Sequence, residues 1–300
     1  MKNKTIKILT GLILSILFII LAIIAYYLIV DIKTKVPSEI EQTCELKIES
    51  FMERNVFIIT PKNKNKSNIT ILYFHGGSYV AETSKEQWDF IEKIVKDTGA
   101  TIILPDYPLT PKYNYKDVFK MIVPLYKEII EKIDINNLIV MGDSAGGGLG
   151  LALEERIAKE DVPMPNKTIL ISPWLDVRLK NPEIDEIQKL DKQLNKETLI
   201  LAGIAYAGED GIDNYLVNPI DGDISKLKNI TILIGTNDIL NPDVKKLQKK
   251  AEEIGNPIQV TEYEGAGHVW MIEKNSSQEL IDKGYQEIVK LIEKEENNEK

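Results

Sequence analysis

From about residue 46 onward, short apolar runs alternate with longer amphipathic stretches, and this alternation most limits how the chain can fold. The apolar runs have the length of strands, whereas the stretches between them carry apolar residues at helical spacing. Strands are predicted at residues 56–60, 69–74, 101–104, 138–141, 168–172, 230–234 and 258–263, and helices at residues 85–97, 115–133, 147–158, 242–254 and 278–293. Because helices between parallel strands cover both faces of a sheet, the pattern predicts an α/β domain with a mostly parallel sheet.

Two local features refine this prediction. Ser84 and Gln87 have the spacing of a capping box at the start of the first predicted helix. Residues 176–228 interrupt the alternation with two helical patches and scattered Pro and Gly. We interpret this segment as a small cap-like insertion near the functional site, with a simple surface excursion as the alternative.

The N-terminal part of the chain has a different composition. Residues 8–30 contain no charged residue and are dominated by Ile and Leu. As a helix, these roughly 23 residues would reach about 35 Å, which is enough to cross a bilayer. Lys2, Lys4 and Lys7 precede the run, so the positive-inside rule predicts a cytoplasmic N-terminus at residues 1–7 and the remaining chain outside.

A cleaved signal peptide, which would give a secreted protein, is the alternative to this anchor. The apolar run exceeds the usual ~7–15 residues of a signal-peptide core, and no A-x-A pattern follows it. We therefore expect a transmembrane anchor at residues 8–30, a linker at residues 31–45 and the α/β domain at residues 46–300.

Charge and cysteine content exclude some classes of function. The net charge is −9, which argues against nucleic acid as a partner because phosphate backbones attract basic surfaces. Cys44 is the single cysteine, so an internal disulfide is impossible and a zinc site built from several cysteines is excluded.

The sequence Gly142-Asp143-Ser144-Ala145-Gly146-Gly147 follows the predicted strand at residues 138–141 and opens a helix rich in small residues. A tight turn from strand to helix needs glycines beside the serine, because side chains there would clash with neighbouring backbone. The turn raises the hydroxyl above the sheet, and the helix N-terminus offers N–H groups to a developing negative charge. Ser144 is therefore the predicted nucleophile.

A serine hydroxyl needs a base to remove its proton, and the chain has only two histidines, His75 and His268. His268 follows the last predicted strand and therefore lies at the carboxyl edge of the sheet, as Ser144 does. We predict that His268 is the base. Asp238 follows the strand at residues 230–234 and is the predicted acid that orients the imidazole; Asp243 is the alternative, although its place at a helix start also suits a cap.

His75 opens the sequence His75-Gly76-Gly77 after another strand. Adjacent glycines let the backbone approach a ligand closely and direct N–H groups toward it. We therefore predict that Gly76 and Gly77 donate hydrogen bonds to an oxyanion.

Taken together, these motifs resemble the hormone-sensitive-lipase-like family of esterases, within the α/β-hydrolase superfamily. The resemblance is carried by four stretches, His75-Gly76-Gly77, Asp106-Tyr107-Pro108-Leu109-Thr110-Pro111, Gly142-Asp143-Ser144-Ala145-Gly146-Gly147 and Ser172-Pro173-Trp174-Leu175-Asp176. It implies an α/β-hydrolase fold and a catalytic triad of Ser144, Asp238 and His268. It also implies an oxyanion hole formed by the N–H groups of Gly76, Gly77 and Ala145.

The sequence departs from this family at three points. Pro108 replaces a common arginine, Ile239 and Leu240 follow Asp238 in place of a frequent Pro-Leu-Arg run, and the apolar segment occupies the place of an N-terminal helical cap. The resemblance implies hydrolysis of small or medium carboxylic esters through an acyl-enzyme, without a metal or an organic cofactor. Alternatives that use the same triad are lactone opening and amide deacetylation; an alternative of another class is a catalytically silent, surface-displayed binding protein.

Overall fold

The computed structural model describes residues 30–62 and 66–293. The strands are β1 (Cys44–Phe51), β2 (Arg54–Pro61), β3 (Thr70–Phe74), β4 (Thr101–Pro105), β5 (Leu138–Asp143), β6 (Lys167–Ile171), β7 (Ile230–Gly235) and β8 (Gln259–Tyr263). The α-helices are α1 (Ile40–Thr43), α2 (Lys85–Thr98), α3 (Tyr115–Lys132), α4 (Ala145–Lys159), α5 (Ile184–Ile187), α6 (Lys196–Ala207), α7 (Asn241–Glu253), α8 (Trp270–Glu273) and α9 (Gln278–Glu293).

The strands form one sheet in the order β1-β2-β4-β3-β5-β6-β7-β8. β2 is antiparallel to both β1 and β4, and every pairing from β4 to β8 is parallel. The predicted mostly parallel sheet is therefore confirmed. Its parallel strands bring the segments that follow β3, β5, β6, β7 and β8 to one carboxyl edge.

Helices cover both faces of the sheet, as the alternation of elements predicts. In β5, Leu138 and Val140 belong to one hydrophobic cluster, whereas Ile139 and Met141 belong to the cluster on the other face. This two-residue alternation fully buries the central strand, because successive side chains of a strand point to opposite faces.

The capping box predicted at the start of α2 is present. The Ser84 hydroxyl accepts a hydrogen bond from the N–H of Gln87 at 3.2 Å, and the Gln87 side chain accepts one from the N–H of Ser84 at 2.8 Å. Both bonds satisfy donors that the first turn of a helix leaves free.

Residues 31–45, predicted as a linker, pack against the domain. Asp31 forms an ion pair with Arg54 at 2.5 Å, and the Thr34 N–H donates to the Asp106 carboxylate at 3.0 Å. Ile40 and Cys44 are 2% and 1% exposed. The ordered domain therefore begins before residue 46.

Apart from Val30, the predicted anchor at residues 8–30 lies outside the described residues, as does the predicted cytoplasmic segment 1–7. Among residues 30–62 and 66–293, no helix has the length and apolar character needed to cross a membrane. The predicted insertion at residues 176–228 contains α5, α6 and a 3-10 turn at Pro219–Asp221, and it connects β6 to β7.

Candidate active site

Ser144 occupies the turn between β5 and α4. Its backbone has φ 53° and ψ −121°, a strained conformation for a residue with a side chain. A Cβ at Gly142 would lie 2.4 Å from the carbonyl oxygen of Gly146, and a Cβ at Gly146 would lie 2.0 Å from that of Phe74. The turn therefore requires glycine at both positions, which explains the G-x-S-x-G spacing.

Three side chains from separate strand ends form one hydrogen-bonded chain. His268 Nε2 lies 2.9 Å from Ser144 Oγ, and His268 Nδ1 lies 2.8 Å from Asp238 Oδ2. Asp238 is fully buried, whereas Ser144 and His268 are 7% and 5% exposed. This arrangement can transfer a proton from the hydroxyl to the imidazole and stabilise the resulting cation.

The charges around His268 favour its protonated form. Burial lowers the pKa of His268, but the nearby carboxylates of Asp238, Asp191 and Asp143 outweigh that effect, so the pKa is raised above its ordinary value. A base with a raised pKa accepts a proton more readily once it is neutral.

Asp243, the alternative candidate for the acid, has other partners than His268. Its carboxylate accepts a hydrogen bond from the Asn181 side chain at 3.2 Å, and burial together with the charge of Asp176 raises its pKa to about 6. Among the described residues, it is Asp238 that contacts His268.

Asp143, beside the nucleophile, links three parts of the site. Its Oδ1 accepts hydrogen bonds from the Tyr73 hydroxyl at 2.6 Å and from the Gly76 N–H at 3.0 Å. Its Oδ2 accepts one from the Gln87 side chain at 2.8 Å. Burial raises the pKa of Asp143, although these hydrogen bonds favour the carboxylate and oppose the rise.

These bonds correct the prediction that Gly76 donates to an oxyanion. The Gly76 N–H is already donated to Asp143, and a Cβ at Gly76 would lie 2.4 Å from Asp143 Oδ2. Glycine is therefore needed at this position so that the carboxylate can approach the loop.

Three other N–H groups, in the loop after β3 and in the turn at Ser144, are available. Those of Gly77, Ser78 and Ala145 donate no hydrogen bond within the described part of the chain. Gly77 and Ser78 line the same cleft as Ser144, and Ala145 is the first residue of α4. The structure therefore brings together Gly77 and Ala145, as predicted, and adds Ser78, which the sequence analysis did not identify.

His75 is fully buried, and among the described residues its ring forms its hydrogen bond with Gly76, not with Ser144. Its ring stacks on Tyr107 with centroids 4.4 Å apart, and its Nδ1–H donates to the Gly76 carbonyl at 2.7 Å. Burial lowers the pKa of His75 to about 4. The neutral ring therefore supports the loop that carries Gly76 and Gly77.

Two further residues that the sequence analysis missed position the catalytic loops. The Ser172 hydroxyl accepts a hydrogen bond from the Val269 N–H at 3.2 Å, next to His268. Asp191, in the insertion, accepts one from the Ile239 N–H at 3.0 Å, next to Asp238. Ser172 lies in a motif quoted above, but no local pattern distinguishes Asp191 from the other acidic residues.

The cleft over Ser144 has a volume of about 450 Å³. Its lining combines the loop after β3, the start of α2, the insertion and the loop that carries His268, and it includes the carboxylates of Glu82 and Glu273. No group of three or more His, Cys, Asp or Glu side chains suited to a metal ion occurs in residues 30–62 and 66–293.

Comparisons with known proteins agree with this geometry. The family described as alpha/beta hydrolase fold matches residues 71–272. An esterase from Acinetobacter venetianus is 30% identical over 198 residues, which span 65% of each chain. An acetyl-hydrolase from Streptomyces hygroscopicus is 26% identical over 204 residues, which span 67% of this chain and 68% of the relative. The matched regions thus cover about two thirds of these relatives.

Solved structures are similar over more of the chain. The crystal structure of a protein from Staphylococcus aureus superposes on this chain with a TM-score of 0.80 at 27% identity, and the superposition covers 86% of both chains. A hormone-sensitive lipase from a metagenome library superposes with a TM-score of 0.78 at 24% identity, covering 85% of this chain and 87% of the other.

Proposed function

The chain belongs to the alpha/beta hydrolase fold family, and on that premise we propose that it is a serine hydrolase that cleaves carboxylic esters. The observation that carries this proposal is the continuous hydrogen-bonded chain from Ser144 through His268 to Asp238, at distances of 2.9 and 2.8 Å. The names of its esterase and acetyl-hydrolase relatives support the same reaction.

In the proposed reaction, His268 removes the proton from Ser144 as the hydroxyl attacks the ester carbonyl. Asp238 holds the Nδ1 proton of His268 and stabilises the imidazolium. The imidazolium then protonates the departing alcohol, which leaves an acyl group on Ser144. Water, deprotonated by the same imidazole, releases the carboxylic acid and restores the serine.

The negative charge on the carbonyl oxygen is held by the N–H groups of Gly77, Ser78 and Ala145 in this proposal. Gly77 and Ser78 lie in the loop after β3, and Ala145 lies in the turn that presents Ser144. None of the three N–H groups has another acceptor among the described residues. One such donor contributes about 3 kcal/mol to transition-state stabilisation.

The cleft favours small or medium acyl groups. At about 450 Å³, it is within the usual range for small-molecule sites. The apolar side chains in its lining are those of Ala81, Leu194 and Val269. A short acyl group therefore suits it better than a long hydrocarbon chain.

A panel of p-nitrophenyl esters of increasing acyl length, hydrolysed by the full chain, tests this proposal. We expect the highest kcat/KM for short acyl groups and a loss on the order of 10³-fold or more in Ser144→Ala. Ser225→Ala changes an exposed serine and is the matched control. Equal activity of Ser144→Ala and the control would exclude Ser144 as the nucleophile. Matched amide and lactone substrates in the same panel distinguish deacetylation and lactone opening from ester hydrolysis.

We also propose that residues 8–30 anchor the chain in a cell membrane, with the catalytic domain on the outer side. The support is the uncharged apolar run and the lysines before it. Carbonate-resistant membrane association of the full chain is expected to disappear in Leu17→Arg/Leu21→Arg, because each arginine costs about 3 kcal/mol at the centre of a spanning helix. Association that survives this change would contradict the anchor, and protection of the domain from external protease in intact cells would contradict the orientation.

A further inference from the structure

Helix α6 in the insertion has apolar side chains on its outer side as well as its inner side. Leu199, Tyr206 and Ala207 are buried against the domain, whereas Leu201 and Ile204 are 69% and 51% exposed. Residues three apart on a helix lie on the same face, so the two exposed side chains form one apolar surface. We call Leu201 and Ile204 the outer α6 face.

α6 lies next to the catalytic loops. The ring of Tyr206 stacks on that of Tyr79 with centroids 3.6 Å apart. Tyr79 directly follows residues 75–78, the loop after β3 that we call the oxyanion loop because it carries the proposed donors Gly77 and Ser78. Leu194, just before α6, lines the cleft over Ser144. Helix α6, and with it the outer α6 face, therefore lies at the carboxyl edge of the sheet, beside the cleft.

The described chain begins on this same edge. The Thr34 N–H binds the carboxylate of Asp106, directly after β4, and the Lys35 N–H binds Glu82 at 2.9 Å. Glu82 lines the catalytic cleft. The apolar run at residues 8–30 thus joins the domain at the edge that holds the active site.

The segment at the start of α3 connects this entry point to α6. Lys112 lies 3.9 Å from the Asp31 carboxylate, and Lys116 forms an ion pair with Asp210 at 2.8 Å, just after α6. Three residues separate the two lysines along the chain, so the entry point and the segment after α6 both contact residues 112–116.

We propose that Leu201 and Ile204 insert into the lipid bilayer in which residues 8–30 are anchored, so that the catalytic cleft opens toward the membrane surface. This inference rests on the proposed anchor. A bilayer is the occupant that fits, because the tether holds the domain against it through the edge that carries the outer α6 face. The substrates this arrangement favours are esters of amphiphiles whose ester group lies at the membrane–water boundary.

The sole cysteine permits a direct test. Cys44 is 1% exposed, so an environment-sensitive nitrobenzoxadiazole label will react with a cysteine introduced at an exposed position. The full chain is reconstituted in phosphatidylcholine vesicles as Ile204→Cys or, as the matched control, Ile254→Cys, whose native side chain is 47% exposed. We expect doxyl-labelled lipids to quench the label at position 204 and to leave the label at position 254 unquenched.

Two results would overturn the proposal. Equal absence of lipid quenching at both positions, in vesicles that retain the protein, would show that the outer α6 face stays in water. Blue-shifted emission at position 204 without lipid quenching would show that protein covers the face, either a second copy or residues 8–29 of the same chain.

A kinetic test uses Leu201→Glu/Ile204→Glu, with Ile254→Glu as control. The measured quantity is the ratio of hydrolysis of a vesicle-borne amphiphilic ester to hydrolysis of a water-soluble ester. We expect this ratio to fall about tenfold in the double variant, because two apolar side chains leave the bilayer, and to stay at the wild-type value in the control. An unchanged ratio in the double variant would contradict docking. Vesicle flotation reports the anchor and the soluble ester reports catalysis, so failure of either proposal is distinguished from failure of docking.

Discussion

Asp143→Asn tests whether the residue beside the nucleophile positions the oxyanion loop. The asparagine carbonyl can still accept the hydrogen bonds that Tyr73 and Gly76 now donate to Oδ1. Its NH2 group would face the Gln87 side-chain NH2, which now donates to Oδ2 at 2.8 Å. Two donors would then oppose each other in a buried site.

Rotation of the Gln87 side-chain amide would separate the two NH2 groups but break a second hydrogen bond. Its oxygen accepts the Ser84 N–H at 2.8 Å in the capping box, and rotation would remove that bond. A buried donor without a partner costs about 1–3 kcal/mol. We expect the loop carrying Gly77 and Ser78 to shift in response, which lowers kcat about 10- to 100-fold with a smaller effect on KM.

The variant also changes the pH dependence. His268 must be neutral to act as a base, so the rate falls as the pH drops below its pKa. The Asp143 carboxylate is one of the charges that raise this pKa. Removing it lowers the pKa of His268, and the acid limb of the kcat/KM profile is expected to move to lower pH.

Adding Gln87→Glu to Asp143→Asn supplies a rescue. The new glutamate can accept both the Ser84 N–H and the asparagine NH2, which restores the pairing and returns a negative charge to the site. The assay is hydrolysis of p-nitrophenyl acetate by the wild type, both single variants and the double variant, which together form a double-mutant cycle. The pH runs from about 5 to about 9, a range that includes the ordinary pKa of histidine. Wild-type kcat and an unshifted acid limb in Asp143→Asn would refute the reasoning, as would a double variant no more active than Asp143→Asn.

Three further predictions follow from the site geometry. Asp238→Asn is expected to lower kcat on the order of 10³- to 10⁴-fold because the asparagine favours the wrong imidazole tautomer of His268. Asp243→Asn, remote from His268, is expected to retain the wild-type kcat. Comparable losses in the two variants would contradict the assignment of Asp238 as the acid. Gly146→Ala places a Cβ 2.0 Å from the Phe74 carbonyl and is expected to yield little folded enzyme. Gly255→Ala, with φ +71° and open space around it, is expected to cost only about 1 kcal/mol of unfolding free energy in a denaturant titration. Glu273→Gln removes a carboxylate from the cleft. We expect kcat/KM for a cationic ester, divided by kcat/KM for a neutral ester of the same shape, to fall roughly threefold. An unchanged ratio would show that Glu273 does not contact the substrate.

The sequence predicted the strands from β2 to β8. Each of β2 to β7 contains an apolar run, and β8 alternates polar residues with apolar Val260 and follows Ile258. The exception is β1, whose residues alternate between apolar Cys44, Leu46 and Ile48 and charged Glu45, Lys47 and Glu49. That period-two pattern is itself a strand signal. β1 was not predicted because three of the six residues from Cys44 to Glu49 are charged, as in a linker, and Ile48 is 52% exposed.

The positions of Ser144, His268 and Asp238 were predictable because each lies in the segment that follows a parallel strand, and parallel strands end at one edge. The oxyanion loop was less predictable, since the choice among Gly76, Gly77 and Ser78 depends on which N–H group is already bonded. Asp143 decides that choice through Tyr73 and Gln87, which lie 70 and 56 residues away in sequence. Gln87 was recognised only as a helix cap, although its amide has a second bond to make.

The same parallel topology explains why features that are distant in sequence affect one another here. The loops after β3, β5, β7 and β8 carry the proposed oxyanion donors, nucleophile, acid and base, and the loop after β6 contains α6. Because β2 is antiparallel to β4, Arg54 at its start lies at this edge too, where its guanidinium donates to the Asp106 carbonyl at 2.7 Å and pairs with Asp31. The residues that join the domain to the apolar run are therefore held by the same strand ends that build the site. In the proposed arrangement, a bilayer reached through this connection faces the cleft because the entry point and the catalytic residues share the carboxyl edge of the sheet.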